Sequence, residues 1–359
     1  MPTLEQIATT TLAIEKGNQI NFQLESYLFT GVLLCYIIAF GLYCISSGFQ
    51  TNKTYFKARI VNYAGLIMAF AALGLRWANS GHAPVSNMYE SLVTLSTFIT
   101  MSGMLFTIKE RLPIIEASSN VFSIAMLAIS SLFPSEIRPL VPVLQSYWLP
   151  LHVSLAFLGE SCFAVAVVLS YFYCYKRLES NNEDHNLNTT EKRLCYSIVH
   201  ILPIIIIISL FALSYFLYQK DITSDKGKKL AGATVVISAL MIIFKSSLIK
   251  KASDLLPNAT KLDELTYNAI KIGYPLFTVG GLIFGMIWAN KAWGRYWGWD
   301  PKETWALVTF LVYSIYLHLR IVIGKDGVIP ATISVLGFIV TMFTLFGVNF
   351  LISGLHSYA

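Results

Sequence analysis

The stretch Trp288–Arg320, WANKAWGRYWGWDPKETWALVTFLVYSIYLHLR, holds the densest chemistry in the chain. Five of the seven tryptophans, Trp288, Trp293, Trp297, Trp299 and Trp305, fall inside its first eighteen residues. Lys291, Arg295, Asp300, Lys302 and Glu303 are threaded between them. Indole faces with cations at their rim suit a large planar anionic ligand. Tryptophans also anchor proteins at membrane–water boundaries, but a belt needs one or two rings there, not five spaced by glycines. Two readings of the charges stay open. Asp300-Pro301 with Glu303 reads equally as a helix start, with proline in the first turn and acids at the positive end of the dipole. Lys291, Arg295 and Lys302 are either flanking charges or partners for acid groups on the ligand.

The six histidines are the second set of reactive side chains. His82 lies in SGHAPVSNMYESL, His152 in YWLPLHVSLAFLGE and His356 in SGLHSYA, each beside the end of an apolar run. Neutral imidazole is the common protein ligand of haem iron, and two opposed imidazoles make a six-coordinate site. His152 and His356 come from separate helices at one membrane level, placed to approach a ring from opposite faces. His82 is a reserve ligand or a polar organiser of the same region. Zinc is the competing metal, but no nearby cysteine or paired carboxylate completes a tetrahedral set. His318 sits fourteen residues beyond Thr304, about 21 Å down its helix at 1.5 Å per residue. It is a ligand in the opposite half of the membrane or a structural hydrogen-bonding group. His185 lies in a polar linker, and His200 reads as a snorkelling or hydrogen-bonded residue. Glu160, eight residues beyond His152, has three open roles: tuning that histidine, accepting a proton, or bonding a neighbouring helix. Glu90, Arg76 and Arg138 form further polar points near the same boundary, also undecided.

The elements that must position these groups are membrane helices. Of 359 residues, 55% are hydrophobic and only 13% charged, and several apolar stretches reach the length of about 20 residues that a helix needs to cross a bilayer. The expected fold is therefore all-α, a polytopic membrane helix bundle of about eight to ten transmembrane helices forming one integral membrane domain over 1–359. Ten spans are predicted, at about 27–46, 60–78, 88–108, 114–133, 150–174, 197–218, 230–250, 270–290, 304–322 and 328–352. Lysine and arginine concentrate in the links after the first, third, fifth, seventh and ninth spans, which are read as cytoplasmic. Both termini, the segment 1–26 and the tryptophan loop 291–305 then face outside, and 179–191 is a cytoplasmic linker. The loop 219–229, with Lys220, Lys226, Lys228 and Lys229, runs against this pattern. Removing or keeping the pair of spans in 197–250 leaves the later topology unchanged.

Other classes are disfavoured. The formal charge of +6 reflects membrane loops, so no nucleic-acid partner is expected. Residues 1–26 lack the short apolar core of a cleavable signal peptide. Cys35, Cys44, Cys162, Cys174 and Cys195 form no C-x-x-C or C-x-x-C-H, so the chain is neither a thiol–disulfide carrier nor a c-type cytochrome. Gly281-x-x-x-Gly285 permits close helix contact, though the pattern is common in membrane helices.

The run Trp293-Gly-x-x-Trp297-x-Trp299-Asp300-Pro-Lys-Glu-Thr-Trp305 resembles the tryptophan-rich WWD signature of haem-handling proteins. With GHAPVSNMYESL, LHVSLAFLGE, YLHLR and FGVNFLISGLHSY, it resembles the CcsA (ResC) branch, the system II cytochrome c biogenesis proteins. The resemblance covers about 81–92, 150–160, 266–322 and 346–358. It implies that haem b, as substrate, is held by the WWD loop at the outer face of a bacterial cytoplasmic or thylakoid membrane. His152 and His356 match the family's external iron ligands, and His318 its inner ligand, opposite a ligand from a CcsB/ResB-type membrane partner. It further implies thioether attachment of haem to C-x-x-C-H of apocytochrome c, as a probable holocytochrome c synthase subunit, with a thioredoxin-like reductant keeping the acceptor thiols reduced. A haem exporter without ligation activity and a membrane b-type electron-transfer cytochrome are the alternatives. The apolar pair in 197–250 exceeds the family's usual eight spans.

Overall fold

A computed structural model describes residues 4–49, 51–137, 139–140, 144–179, 187–204 and 256–352, with backbone alone over 4–22. Among them the chain is helical and carries no strand. The helices are α1 (Leu4–Phe49), α2 (Asn52–Ser80), α3 (Met88–Phe106), α4 (Pro113–Ser130), α5 (Trp148–Glu179), α6 (Thr189–Tyr196), α7 (Ala259–Trp293), α8 (Pro301–Ile321) and α9 (Val328–Leu351). Seven of these, α3 and α6 excepted, are long and apolar enough to cross a membrane, so the chain is a multi-pass membrane helix bundle. Eight predicted spans coincide with α1–α5 and α7–α9. The spans 197–218 and 230–250 and the loop 219–229 lie wholly or mostly outside the described residues, as do most of the 179–191 linker, with His185, and also Arg138 and His356.

Two apolar cores share α3 and α4. One joins them to α1 and α2 through Val32, Tyr36, Ala58, Ala69 and Ile124. The other gathers α3, α5, α7, α8 and α9 around Phe163, Ala269, Tyr313 and Val335. Helix α5 is the axis of the second: 83% of its most apolar window is buried, against 17% for α8. The α5–α7 approach is permitted by glycines seven residues apart. A Cβ on Gly273 would lie 2.7 Å from Cys162 Cβ, and one on Gly280 would lie 2.4 Å from Leu155 Cβ. The predicted Gly281–Gly285 pair contributes only in part. Gly285 abuts His152, whereas a side chain at Gly281 would meet only Phe277 of its own helix.

Most of the buried charge among the described residues is paired, which offsets the cost of its burial. Arg76 on α2, with no exposed surface, donates to Glu25 Oε1 of α1 at 2.7 Å, to Glu90 Oε1 of α3 at 2.8 Å and to the carbonyl of Ser135 at 3.0 Å. Tyr89 lies under its guanidinium at 4.9 Å. These bonds decide the roles of Arg76 and Glu90, which act as a tie between three helices. Toward the other end of α3, Glu116 of α4 accepts from Tyr43, Tyr55 and Thr107 hydroxyls.

Candidate functional site

One end of the bundle encloses a cavity of about 310 Å³ between α3, α5, α7, α8 and α9, within the size range of small-molecule and cofactor sites. Its wall is largely apolar, with Phe157, Leu282, Met286 and Leu345, and it includes Trp288, Trp293, Tyr296 and Trp297. The polar side chains in that wall are few: His152, Glu160, Lys302, Glu303, Asn349 and the hydroxyls of Ser86, Ser91, Tyr296 and Thr344.

His152 lies in the second turn of α5, and its orientation depends on α7. Within α7, Pro275 offers no backbone N–H, and the next turns, Thr278–Phe284, wind as a π-helix. The carbonyl of Gly280 in that wide turn lies 2.8 Å from His152 Nδ1. A carbonyl only accepts, so Nδ1 carries the proton, and in the neutral imidazole Nε2 carries the lone pair. Trp288, one of the most buried side chains at this end, stacks parallel to the imidazole at 7° with centroids 6.0 Å apart. Gly285 closes the Cε1–Nδ1 edge, where a Cβ would stand 3.0 Å from Cε1. One histidine is thus held by a carbonyl, an indole face and a glycine from a single helix.

The tryptophan loop is fixed by the start of α8. Asp300 is the N-cap and accepts from the Lys302 N–H at 3.1 Å. Glu303 Oε2 reaches back to the N–H groups of Gly298 at 2.7 Å and Asp300 at 3.3 Å. This capping box confirms the helix-start reading of both acids. It also holds Trp299 at φ 54°, a left-handed conformation disfavoured for an aromatic residue. The indoles divide. Trp288 packs edge-on against Trp293 at 4.8 Å, and both line the cavity with Trp297. Trp299 is 70% exposed and packs edge-on against Trp297, while Trp305 packs on Phe343; neither lines the cavity.

The basic candidates divide as well. Lys302 is in the cavity wall, and its ammonium donates to Asn349 Oδ1 of α9 at 3.2 Å. Arg295 and Lys291 are exposed, with the Arg295 guanidinium folded over Gly298. His82 sits in the α2–α3 loop, its Nδ1 3.1 Å from the Ala83 carbonyl. It is outside the cavity wall, although Val85, Ser86 and Met88 just beyond it are inside. His318 is elsewhere, on an exposed stripe of α8 with Leu311, Ile315 and Val322. Among the described residues its ring has no hydrogen-bond partner, so the structural hydrogen bond considered for it is not seen. Sequence reasoning left out Tyr296 and Asn349 as site residues. Both lie inside stretches already singled out, but neither residue type stands out there by spacing or charge.

Comparison with known proteins agrees with this architecture. Residues 85–356, which contain the whole cavity, match the family described as cytochrome C assembly protein. The chain is 32% identical to the cytochrome c biogenesis protein CcsA of Guillardia theta, over 94% of this chain and 98% of that one. It is 35% identical to CcsA of Marchantia polymorpha over 79% and 81% of the two chains, and 30% identical to CcsA of Gloeothece citriformis over 93% and 97%. With a membrane helix bundle and matches of this extent, the chain belongs to the cytochrome c assembly family as a CcsA-type cytochrome c biogenesis protein.

Proposed function

We propose that this chain takes haem b as substrate, carries it across the membrane or to its outer, periplasmic or lumenal, face, and presents it there for covalent attachment to C-x-x-C-H of apocytochrome c. The observation that carries the reading is His152: an imidazole oriented by the Gly280 carbonyl, in the wall of an aromatic cavity. The donor set fits haem. A neutral imidazole with Nδ1 bonded to a carbonyl is the usual state of an iron-binding histidine, and that bond raises its basicity. Indole faces suit the porphyrin plane, and the Lys302 ammonium in the wall suits an acid side chain of the ring.

In this mechanism the chain binds, orients and excludes water. His152 on α5 would ligate the iron, with His356 as its second ligand. Trp288, Trp293 and Trp297 hold the plane of the ring, while the capped loop keeps Trp299 and Trp305 at the boundary. Haem supplies the vinyl groups: each acceptor thiol adds across one C=C bond, sulfur to one carbon and hydrogen to the other. No electron is lost in that addition, so the external reductant serves only to keep the acceptor cysteines as thiols. His318, exposed on α8, is an earlier haem station on the cytoplasmic side whose second ligand comes from a CcsB/ResB-type partner. His82 organises the α2–α3 loop beside the cavity.

The test is an absorption spectrum of the purified chain beside His152→Ala and His356→Ala, with imidazole added back, followed by incubation with a C-x-x-C-H peptide. A reduced low-spin b-type spectrum, lost in each variant and restored by imidazole, is expected, with thioether formed on the peptide. Unchanged spectra in both variants would refute the ligand assignment, and spectrum without thioether would reduce the function to haem export.

A further inference from the structure

Six buried carboxylates are present among the described residues, and five have bonded partners. Glu25 and Glu90 bind Arg76, Glu116 accepts three hydroxyls, Asp263 binds Arg320, and Asp300 caps α8. Glu160 is the exception. Its side chain is in the cavity wall with 7% of the residue exposed, and Oε2 is buried with no hydrogen-bond partner. It bonds no neighbouring helix, which removes one of its three possible roles. Lys302 stands in the same wall, near enough to interact electrostatically, yet the two form no ion pair. A carboxyl group and an ammonium therefore face one cavity with a gap between them. Burying such a group without a partner is unfavourable by about 1–3 kcal/mol or more, and a ligand that fills the gap removes the penalty.

We infer that Glu160 and Lys302 together bind one carboxylate of the cavity's ligand, and so set which edge of that ligand enters the bundle first. This rests on the haem reading above. The polar substituents of haem b are its two propionates; its vinyl and methyl groups offer no hydrogen-bonding atom. Glu160 lies eight residues beyond His152 on α5, an axial separation of about 12 Å. That is the scale of the reach from a porphyrin's centre to its propionates. With one proton shared between the Glu160 carboxyl and the propionate, the contact is a charge-assisted O–H···O hydrogen bond, and Lys302 balances the remaining negative charge. The propionate edge is then drawn toward the membrane interior, and the vinyl edge is left at the tryptophan loop, where acceptor thiols arrive. Glu160 is a ligand-orienting residue that leaves iron ligation to His152.

The experiment compares haem b with its dimethyl ester, which keeps the iron, the vinyl groups and the size but lacks propionate charge. Both are titrated by absorbance into the full-length purified chain. Wild type is expected to prefer the free acid by about tenfold or more, the value of one hydrogen bond to a charged group. Glu160→Leu should lose most of that preference while binding the ester as wild type does, and Glu160→Gln, which still donates, should retain much of it. If Glu160→Leu does not accumulate, Glu160→Asp carries the test, because the shorter side chain withdraws the carboxyl by one methylene. A wild type that binds both compounds equally would overturn the inference and leave the haem reading intact, as would a Glu160→Leu or Glu160→Asp chain with undiminished preference. A wild type that binds neither compound would overturn the haem reading, and this inference with it.

Discussion

His152 and His318 sit on adjoining parts of one bundle and are held in opposite ways. His152 is fixed by its own chain: a carbonyl at Nδ1, an indole face alongside and a glycine at its edge, all from α7. His318 is exposed on α8, the least covered of the spans, in line with Leu311, Ile315 and Val322. A preorganised imidazole binds metal without first giving up rotamer freedom, whereas an exposed one in a membrane needs a second molecule to complete its surroundings. Under the proposed function, this is the contrast between a site the chain builds alone and one that it offers to a partner.

The largest expected effect divides the two. In the isolated chain, His152→Ala should weaken haem binding in the cavity by more than roughly 100-fold, because altering even the outer partners of a ligating histidine costs 10–100-fold. His318→Ala should leave the same titration unchanged, and show a loss of haem only when the chain is purified with its membrane partner. Loss of the cavity spectrum in His318→Ala alone would mean that the two histidines serve a single site, and the contrast would collapse.

A smaller effect probes how His152 is held. In Gly280→Ala the new Cβ would stand 2.4 Å from Leu155 Cβ and 2.5 Å from the Ala156 nitrogen, so α5 and α7 must part. Overpacking of this kind typically costs about 1–3 kcal/mol, read as a lower midpoint of thermal unfolding in detergent. The Nδ1 bond stretches with it, and haem affinity should fall by about tenfold or more. Gly74→Ala on α2 is the control: nothing stands within 4 Å of its Cβ and it lies outside the cavity wall, so both readouts should stay near wild type. Equal behaviour of the two variants would show that the bond to Gly280 does not position the histidine.

These results also mark what the sequence could and could not tell. Seven helices were legible because apolar runs of spanning length have one main explanation in a chain this poor in charge, whereas α3, predicted as a span, forms a helix less apolar than a membrane span requires. The α8 start was legible because Asp-Pro-x-Glu acts within four residues. The tryptophan cluster was legible as a group, but its division was not: which indole lines the cavity depends on the turn at Gly294 and on φ at Trp299. The bond from His152 to Gly280 spans 128 residues and needs a π-helical turn that leaves no periodic signature. The Glu25–Arg76–Glu90 tie was invisible for the same reason, since partners 51 and 14 residues apart meet only after the helices pack. The glycine pattern was informative only in part: Gly285 meets His152, but the closer approach of α5 and α7 is at Gly273 and Gly280, on a seven-residue spacing that the four-residue motif does not include.

The smallest effect concerns the loop between α7, which holds His152 in place, and α8, which carries His318. Asp300→Ala removes the N-cap acceptor of α8, and losing such a cap costs about 1 kcal/mol. Its consequence is larger than its energy, because the cap and Glu303 together hold Trp299 in a conformation that disfavours a side chain by roughly 1–2 kcal/mol. Once one of the two constraints is gone, residues 294–300 should open first, seen as faster proteolysis there while unfolding of the whole bundle shifts little. Asp300→Asn separates geometry from charge. Asparagine caps a helix about as well as aspartate, so if the cap is what matters the loop stays protected and haem is retained. If Asp300→Asn behaves like Asp300→Ala, the negative charge beside Lys302 is the operative feature, and the ammonium's position in the cavity wall, rather than the shape of the loop, is what Asp300 governs.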